Sequence, residues 1–261
     1  PGSVLKYSMD RTVEVATTYN QRYYDLVGRR MVESFVKHWP KHITLHVYWQ
    51  EAQPEIIEPN IVYHELYAVQ PQLKQWVDAH SDDRYHGWRE DRGKYVWKND
   101  GVKFSHKVFA QTHRIRNSDA EILLYSDADT LYHSEPDLDY LNCISPPDSL
   151  CTFFDRPKFR DETGFYMHNP RHPRAKDWAE RLEQIYLSGE VWTYAENKSA
   201  DQYTMAHGRD SFKDCRQMDL MRFHCECHPH AGIDFKDPVP TSPLSKFLQH
   251  LKGGKKGDIH K

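Results

Sequence analysis

Two aspartates separated by one residue are the strongest candidates for chemistry in this sequence. Asp127 and Asp129 directly follow residues 121–125, a short, largely apolar run that predicts a buried central strand. Ligands of open α/β sheets bind at the carboxyl ends of such strands. Carboxylate oxygens bind hard cations such as Mg²⁺ or Mn²⁺, and these cations neutralise phosphate groups. We therefore predict a divalent cation that joins both aspartates to a diphosphate. The alternative for an Asp-x-Asp sequence is a solvated turn.

A histidine, a glycine and a lysine follow one another at intervals of three residues near the C-terminus. They are His250, Gly253 and Lys256. An imidazole added to two carboxylates suits Mn²⁺ better than Mg²⁺. Gly253 would let the backbone approach a phosphate, and Lys256 would place a positive charge against a leaving diphosphate. The alternative is a basic, solvated tail, and the upstream aspartate pair favours the site.

The apolar pattern of the first half predicts the elements that would position these residues. Apolar alternation and runs predict strands at residues 13–17, 43–49, 61–69 and 121–125. Spacings of three or four predict helices at residues 24–39, 72–79 and 103–116. Residues 81–101 are polar and aromatic, which is typical of a functional loop.

The second half is less regular. A strand is predicted at residues 150–154 and helices at 173–188 and 200–206, with little periodicity after residue 210. The alternation of strands and helices predicts an α/β fold: a mainly parallel central sheet with helices on both faces and an irregular C-terminal region. With 261 residues, 38% of them hydrophobic, we expect a single domain over 1–261 with a less regular second half.

Taken together, these motifs resemble the Rossmann-like GT-A glycosyltransferases, in which an Asp-x-Asp motif follows a central strand. The resemblance implies a nucleotide-binding half at about 10–133 and an acceptor half at about 134–261, with an irregular C-terminal acceptor region. Further stretches are similar to the retaining family eight, which includes glycogenin and bacterial lipopolysaccharide galactosyltransferases. That family has a C-terminal His-x-x-Gly-x-x-Lys, and the resemblance implies that His250 is the third metal ligand and Lys256 a diphosphate contact. Its Asn-x-Gly turn near the donor sugar is similar to residues 162–165, with Glu162 in place of asparagine.

The resemblance implies transfer of a sugar, a hexose, from a UDP-sugar to a hydroxyl acceptor with retention, using Mn²⁺ or Mg²⁺. An Asp-Gln pair near the reaction centre of the family is similar to Asp201 and Gln202, which would orient the acceptor and stabilise positive charge on the sugar. Alternatively, Asp201 is an acid at a helix N-terminus. The resemblance also implies a uridine contact at Thr17 and Tyr19 and a phosphate contact at Lys107. Their alternatives are an ordinary strand-to-helix turn and a solvated lysine.

Rival hypotheses remain open at this point. An inverting transferase would need a carboxylate base, with Asp155, Asp161 and Glu162 as local candidates. The cysteines and histidines within residues 224–230 could bind zinc, although no second pair at finger-like spacing accompanies them. A carbohydrate- or zinc-binding module is therefore the alternative to an enzyme. A nucleotidyltransferase would show a Gly-rich loop after the first strand, and residues 17–20 do not form such a loop.

The aromatic segment 81–101 also has two interpretations. It could be an acceptor surface, or its rings could anchor the segment to the core.

Composition restricts the partners. A net charge of −3 disfavours nucleic acid and anionic membranes as main partners. No run approaches the roughly 18 to 20 apolar residues of a membrane span. Five cysteines, an odd number without framework spacing, indicate reduced thiols and a cytoplasmic location. The expected partners are a nucleotide-sugar donor and an acceptor that is a glycan, a lipid-linked sugar or a protein.

Overall fold

The computed structural model describes residues 11–51, 55–156, 159–194, 198–227 and 232–251. Its strands are β1 (Val13–Asn20), β2 (Thr44–Gln50), β3 (Ile61–Glu65), β4 (His86–Arg89), β5 (Lys94–Asp100), β6 (Ile122–Ser126), β7 (Thr130–Tyr132), β8 (Cys151–Phe154), β9 (Glu162–His168), β10 (Met218–Asp219) and β11 (Leu248–His250). Seven of them form the central sheet in the order β10-β8-β9-β6-β1-β2-β3. The pairs from β6 to β3 are parallel, whereas β9 runs antiparallel to both β6 and β8.

The helices follow the strands in alternation through the first half. They are α1 (Gln21–Tyr23), α2 (Arg29–His38), α3 (Leu66–Val69), α4 (Pro71–Ala79), α5 (Gly101–Arg116), α6 (Leu138–Ile144), α7 (Ala175–Leu187), α8 (Asp201–Asp210) and α9 (Leu220–Cys227). A π-helical segment, Tyr24–Gly28, joins α1 to α2. None of the helices in the described ranges is both long enough and apolar enough to cross a membrane.

Apolar side chains cover both faces of the sheet. On one face, Met31 and Phe35 of α2 pack in the same cluster as Leu124 of β6. On the other face, Val108 of α5 and Trp178 of α7 share a cluster with residues of β2 and β6. All five residues of β6 are buried, which explains why this strand is an uninterrupted apolar run. The predicted fold class, a mainly parallel sheet with helices on both faces, is confirmed.

Three predictions in the first half need correction. The strand predicted at residues 61–69 ends at Glu65, because its carboxylate accepts hydrogen bonds from the Tyr67 and Ala68 N–H groups (3.1 and 2.5 Å) and so starts α3. The strand predicted at residues 13–17 extends to Asn20, whose side chain accepts from the Tyr23 N–H (2.9 Å) and caps α1, as expected of a strand-to-helix connection. The loop predicted at 81–101 is largely an antiparallel hairpin of β4 and β5.

The second half contains elements without a clear sequence signal. Strand β9 includes residues 162–165, which resemble a turn motif, yet all seven of its residues are buried. Because both of its faces are covered, β9 has no alternation that would predict a strand. Likewise, α9 and β11 lie in the stretch where little periodicity was found.

Candidate metal centre

Strand pairing brings the two aspartates and the C-terminal histidine together. Asp127 directly follows β6, and its carbonyl accepts a hydrogen bond from the Thr130 N–H that starts β7 (2.9 Å). Strand β11 pairs antiparallel with β7, so that His250 lies opposite Thr130. The Leu251 N–H then donates to the Asp129 carbonyl (2.8 Å). The backbone therefore fixes His250 beside the Asp-x-Asp turn.

The three side chains have the geometry of a cation site. His250 Nε2 lies 2.9 Å from Asp129 Oδ1 and 3.7 Å from Asp127 Oδ2. One ligand atom from each residue fits within a span of 4.8 Å. Neighbouring ligands of an octahedral cation are about 3 Å apart when each metal–ligand bond is about 2.1 Å. The observed spacing fits Mg²⁺ or Mn²⁺, and the imidazole favours Mn²⁺.

Gly164 provides the space that His250 occupies. This residue lies in β9, and its carbonyl accepts a hydrogen bond from the Asp127 N–H (3.1 Å). A Cβ atom at position 164 would be 2.2 Å from Cε1 and 2.6 Å from Nδ1 of the His250 ring. The ring thus packs directly on the β9 backbone, and only glycine permits that approach.

Lys107 connects the metal centre to the start of α8. Its Nζ lies 2.6 Å from Asp127 Oδ1 and 2.7 Å from Asp201 Oδ2. Burial opposes its charge, but these two carboxylates raise the pKa of Lys107 above its ordinary value. Lys107 is therefore a buried cation held between two acids, not a solvated lysine.

The titration of two metal-centre residues reflects burial and their neighbours. Burial raises the pKa of Asp127, with a further contribution from Asp129, while Lys107 acts in the opposite direction. For His250, burial disfavours the charged form, but the hydrogen bond to Asp129 prevails and raises the pKa of the imidazole. Without a cation, a proton on His250 therefore partly balances the acids.

A second polar group lies beside the centre and includes a residue that the sequence analysis missed. Arg156 is buried, and its guanidinium contacts Glu162 Oε2 (2.8 Å) and Gln202 Oε1 (3.3 Å). The other oxygen of Glu162 accepts from the Gly164 N–H (3.0 Å) and lies 3.9 Å from His250 Nδ1. Arg156 thus joins two predicted site residues to the metal centre. Its position after β8 carries no sequence pattern that would have identified it.

Within the described residues, which end at Leu251, acidic side chains of this region outnumber the basic ones. The region contains four carboxylates and two permanently positive side chains: Asp127, Asp129, Glu162 and Asp201 against Lys107 and Arg156. Buried charge that is not compensated is unfavourable. An excess of two negative charges beside a set of two oxygen ligands and one nitrogen ligand suits one divalent cation.

The remaining predicted site residues have different surroundings. Asp201 is the first residue of α8 and accepts a hydrogen bond from the Gln202 N–H (2.9 Å), so it is an N-terminal acid as well as a Lys107 contact. Thr17 and Tyr19 are buried in β1. The Tyr19 ring packs on Gly28 and lies 5.4 Å from the Tyr24 ring. None of the contacts described for Thr17 or Tyr19 reaches the metal centre. Gly253 and Lys256 lie outside the described residues.

The rival sites can be located only in part. His224 is buried and its Nε2 lies 2.6 Å from the Tyr140 hydroxyl. The rest of that cluster, His228, His230 and the side chains of Cys225 and Cys227, lies outside what the structure describes. Among the candidate bases, Asp161 is buried and both of its oxygens accept from Arg209 (2.7 and 2.8 Å).

Comparisons with known proteins locate the fold but not a family. The sequence matches no protein-family model and no curated protein. Among solved structures, it is similar to the glycosyltransferase GlyE of Streptococcus pneumoniae TIGR4, at 13% identity and a TM-score of 0.50, over 97% of this chain and 57% of that chain. Mouse xyloside xylosyltransferase 1 in its apo form matches at 9% identity and a TM-score of 0.49, over 80% of this chain and 85% of that one. The likeness to GlyE supports the mixed α/β architecture, and this chain spans little more than half of that protein.

Proposed function

We propose that this protein is a metal-dependent glycosyltransferase that moves a hexose from a UDP-sugar to a hydroxyl acceptor with retention. The observation that carries the proposal is the set of Asp127, Asp129 and His250 at the carboxyl end of β6, in a region whose described residues include more acidic than basic side chains. A cation there would be placed where open α/β sheets bind their ligands. The GT-A-like fold and the ordered family-eight motifs agree with this activity.

Each residue of the metal centre has a separate role in the proposed reaction. Asp127, Asp129 and His250 would hold Mn²⁺ or Mg²⁺, which would coordinate diphosphate oxygens and assist the departure of the diphosphate. Lys107 orients Asp127 and Asp201 through contacts of 2.6 and 2.7 Å. Asp201 would stabilise positive charge on the sugar, and Gln202 would orient the acceptor. Lys256 would contact the diphosphate.

Retention is supported by the state of the nearby carboxylates. An inverting reaction needs a carboxylate that takes a proton from the acceptor hydroxyl. Asp161 is closed off by its bidentate pair with Arg209, and Glu162 is bound by Arg156 and the Gly164 N–H. Among the three candidates, this leaves Asp155 for an inverting base. In a front-face retaining reaction the leaving phosphate takes that proton, and the protein needs no such base.

Isothermal titration with UDP, with and without Mn²⁺, tests the donor site. We expect UDP to bind only with the cation, and Asp129→Ala to abolish that binding and the slow Mn²⁺-dependent hydrolysis of UDP-sugars. His250→Ala should lower turnover severely. Asp119→Ala is a matched control, because Asp119 is exposed and precedes β6 at its other end. Equal activity of all three variants would refute the site, and metal-independent glycan binding without UDP binding would favour a carbohydrate-binding module.

We also propose a cytoplasmic location with reduced thiols. Among the described residues, Cys151 and Cys215 form no disulfide bond, in agreement with that proposal. Thiol titration of the purified protein under denaturing, non-reducing conditions would test it.

A further inference from the structure

The β4–β5 hairpin carries exposed aromatic side chains, and two of them have structural contacts. Trp88, Tyr95 and Trp97 are 43%, 49% and 47% exposed. The Tyr95 hydroxyl donates to Asp100 Oδ2 (3.0 Å), and the Trp97 ring packs edge-on against Phe104 at 6.1 Å. Among the described contacts, Trp88 has no comparable ring partner. Trp88 lies opposite Tyr95 in the hairpin and is 43% exposed, so part of its side chain is accessible to a ligand.

Trp88 lines a groove, which we call the hairpin groove, formed by residues 81–85, 88–91, 99 and 192. Its volume of about 1010 Å³ lies at the upper end of the range for small-molecule sites. The aromatic part of its wall is held in place, because the Trp192 ring stacks on Trp76 (5.8 Å, 5°) and contacts the Tyr85 ring (4.8 Å). The Trp192 and Tyr85 side of the groove is therefore preformed, and the volume of the groove would accommodate more than one sugar ring.

The charge of the hairpin groove selects the class of ligand. Its lining contains four carboxylates and two guanidinium groups: Asp82, Asp83, Glu90 and Asp91 against Arg84 and Arg89. Arg89 is already bound in a bidentate pair to Asp91 (2.8 and 2.9 Å), and Arg84 lies over the Tyr85 ring at 4.5 Å. A net negative lining repels phosphates, nucleic acid and anionic lipid headgroups. Carboxylates accept hydrogen bonds from hydroxyl groups, and indole faces pack on the apolar faces of sugars. A neutral saccharide combines both requirements.

The hairpin groove is joined to the metal centre by the backbone. The Lys98 carbonyl in β5 accepts hydrogen bonds from the Ser199 and Ala200 N–H groups (2.8 and 3.1 Å), directly before Asp201. Asn99, which lines the groove, is two residues before α5, the helix that carries Lys107. Position 107 is about 9 Å along that helix from its first residue. An extended ligand in the groove could thus place one end near the reaction centre.

We propose that the hairpin groove binds a neutral oligosaccharide, and that this oligosaccharide is the acceptor of the transfer reaction. The second clause rests on the function proposed above, whereas the first does not. Trp88 provides the stacking face, and the carboxylates of the lining accept hydrogen bonds from the sugar hydroxyl groups. The acceptor is therefore a glycan chain recognised over several rings.

The test compares two tryptophans of the same hairpin. Wild type, Trp88→Ala and Trp97→Ala are probed on an array of neutral, sulfated and phosphorylated glycans, and the Kd of the best neutral oligosaccharide is measured by calorimetry. We expect wild type and Trp97→Ala to bind neutral glycans equally, and Trp88→Ala to bind about tenfold more weakly. Melting temperatures confirm that both variants fold, as expected for exposed side chains.

The outcomes separate the groove from the proposed enzymatic function. Neutral-glycan binding that depends on Trp88, together with no Mn²⁺-dependent UDP binding, would support the groove and refute the transferase. UDP binding without binding of any neutral glycan would overturn the groove and leave the transferase in place. A preference for sulfated or phosphorylated glycans, or equal losses in the two variants, would also overturn the groove proposal.

Discussion

A single added methyl group at Gly164 should disable the metal centre without removing any ligand. In Gly164→Ala the new Cβ would lie 2.2 Å from His250 Cε1, whereas ordinary contacts begin near 3.4 Å. The imidazole must therefore move away by about 1.2 Å. This shift is large compared with the 2.9 Å distance between His250 Nε2 and Asp129 Oδ1, so the ligand geometry would be lost. We expect overpacking to cost about 1–3 kcal/mol of stability. We expect Mn²⁺-dependent UDP affinity to fall by about tenfold to a hundredfold, as for other residues that orient a metal ligand.

Calorimetry with UDP and Mn²⁺ measures the second effect, and urea denaturation measures the first. Gly208→Ala is the matched control, because its Cβ would lie 2.6 Å from Leu182 and 2.9 Å from Trp178, within the core between α7 and α8. Both variants should lose stability, but only Gly164→Ala should lose UDP binding. In a His250→Ala background the Gly164 substitution should be almost neutral, since the obstructing ring is gone. Tight metal-dependent UDP binding by Gly164→Ala would refute the geometry.

Three further predictions concern buried charges. Lys107→Met should lower the free energy of unfolding by about 3 kcal/mol when it is measured in chelator, because two acids lose their partner. Added Mn²⁺ should restore part of that free energy. As a control, Lys103→Met, at an exposed position of the same helix, should change the free energy of unfolding by less than about 0.5 kcal/mol. Burial lowers the pKa of His168 from 6.5 to about 3, so the unfolded chain binds a proton at a higher pH than the folded chain does. The free energy of unfolding should therefore fall as the pH drops below about 6.5, by about 2 kcal/mol at pH 5. Urea titrations at pH 7.5 and 5 should show this loss in the wild type but not in His168→Gln. Arg156→Ala and Glu162→Ala should each cost about 3 kcal/mol by leaving a buried charge, and the double variant should cost clearly less than their sum.

Elements with a single apolar face, or with an uninterrupted apolar run, could be predicted from the sequence. The predicted ends of strand β6 and helix α5 agree with the observed ends to within two residues, because burial gives each element a recognisable apolar pattern. Strand β9 has no sequence signal, since it is buried on both faces and carries Glu162 and His168, whose side chains contact Arg156 and Gln111. Its polar residues become compatible with a strand only when those partners are in place.

The candidate site was predictable only where its residues are consecutive in sequence. Asp127 and Asp129 follow a recognisable strand, so local pattern was sufficient. The role of Lys107 as a bridge between Asp127 and Asp201 depends on the packing of α5 against α8, which no spacing reveals. Arg156 is a stronger example, because its contacts with Glu162 and Gln202 bring together three separate segments of the second half of the chain.

The two proposed ligand sites differ in charge, and this difference would direct the donor to the metal centre and the acceptor to the hairpin groove. With a divalent cation bound, the excess of two negative charges at the metal centre is neutralised, and Lys256 would add positive charge for a diphosphate. The hairpin groove keeps its negative lining, so the same diphosphate is repelled there. A neutral acceptor experiences little repulsion in the groove and gains stacking on Trp88. Donor and acceptor would therefore enter different sites on one protein because their charges differ, before any specific hydrogen bond selects the sugar.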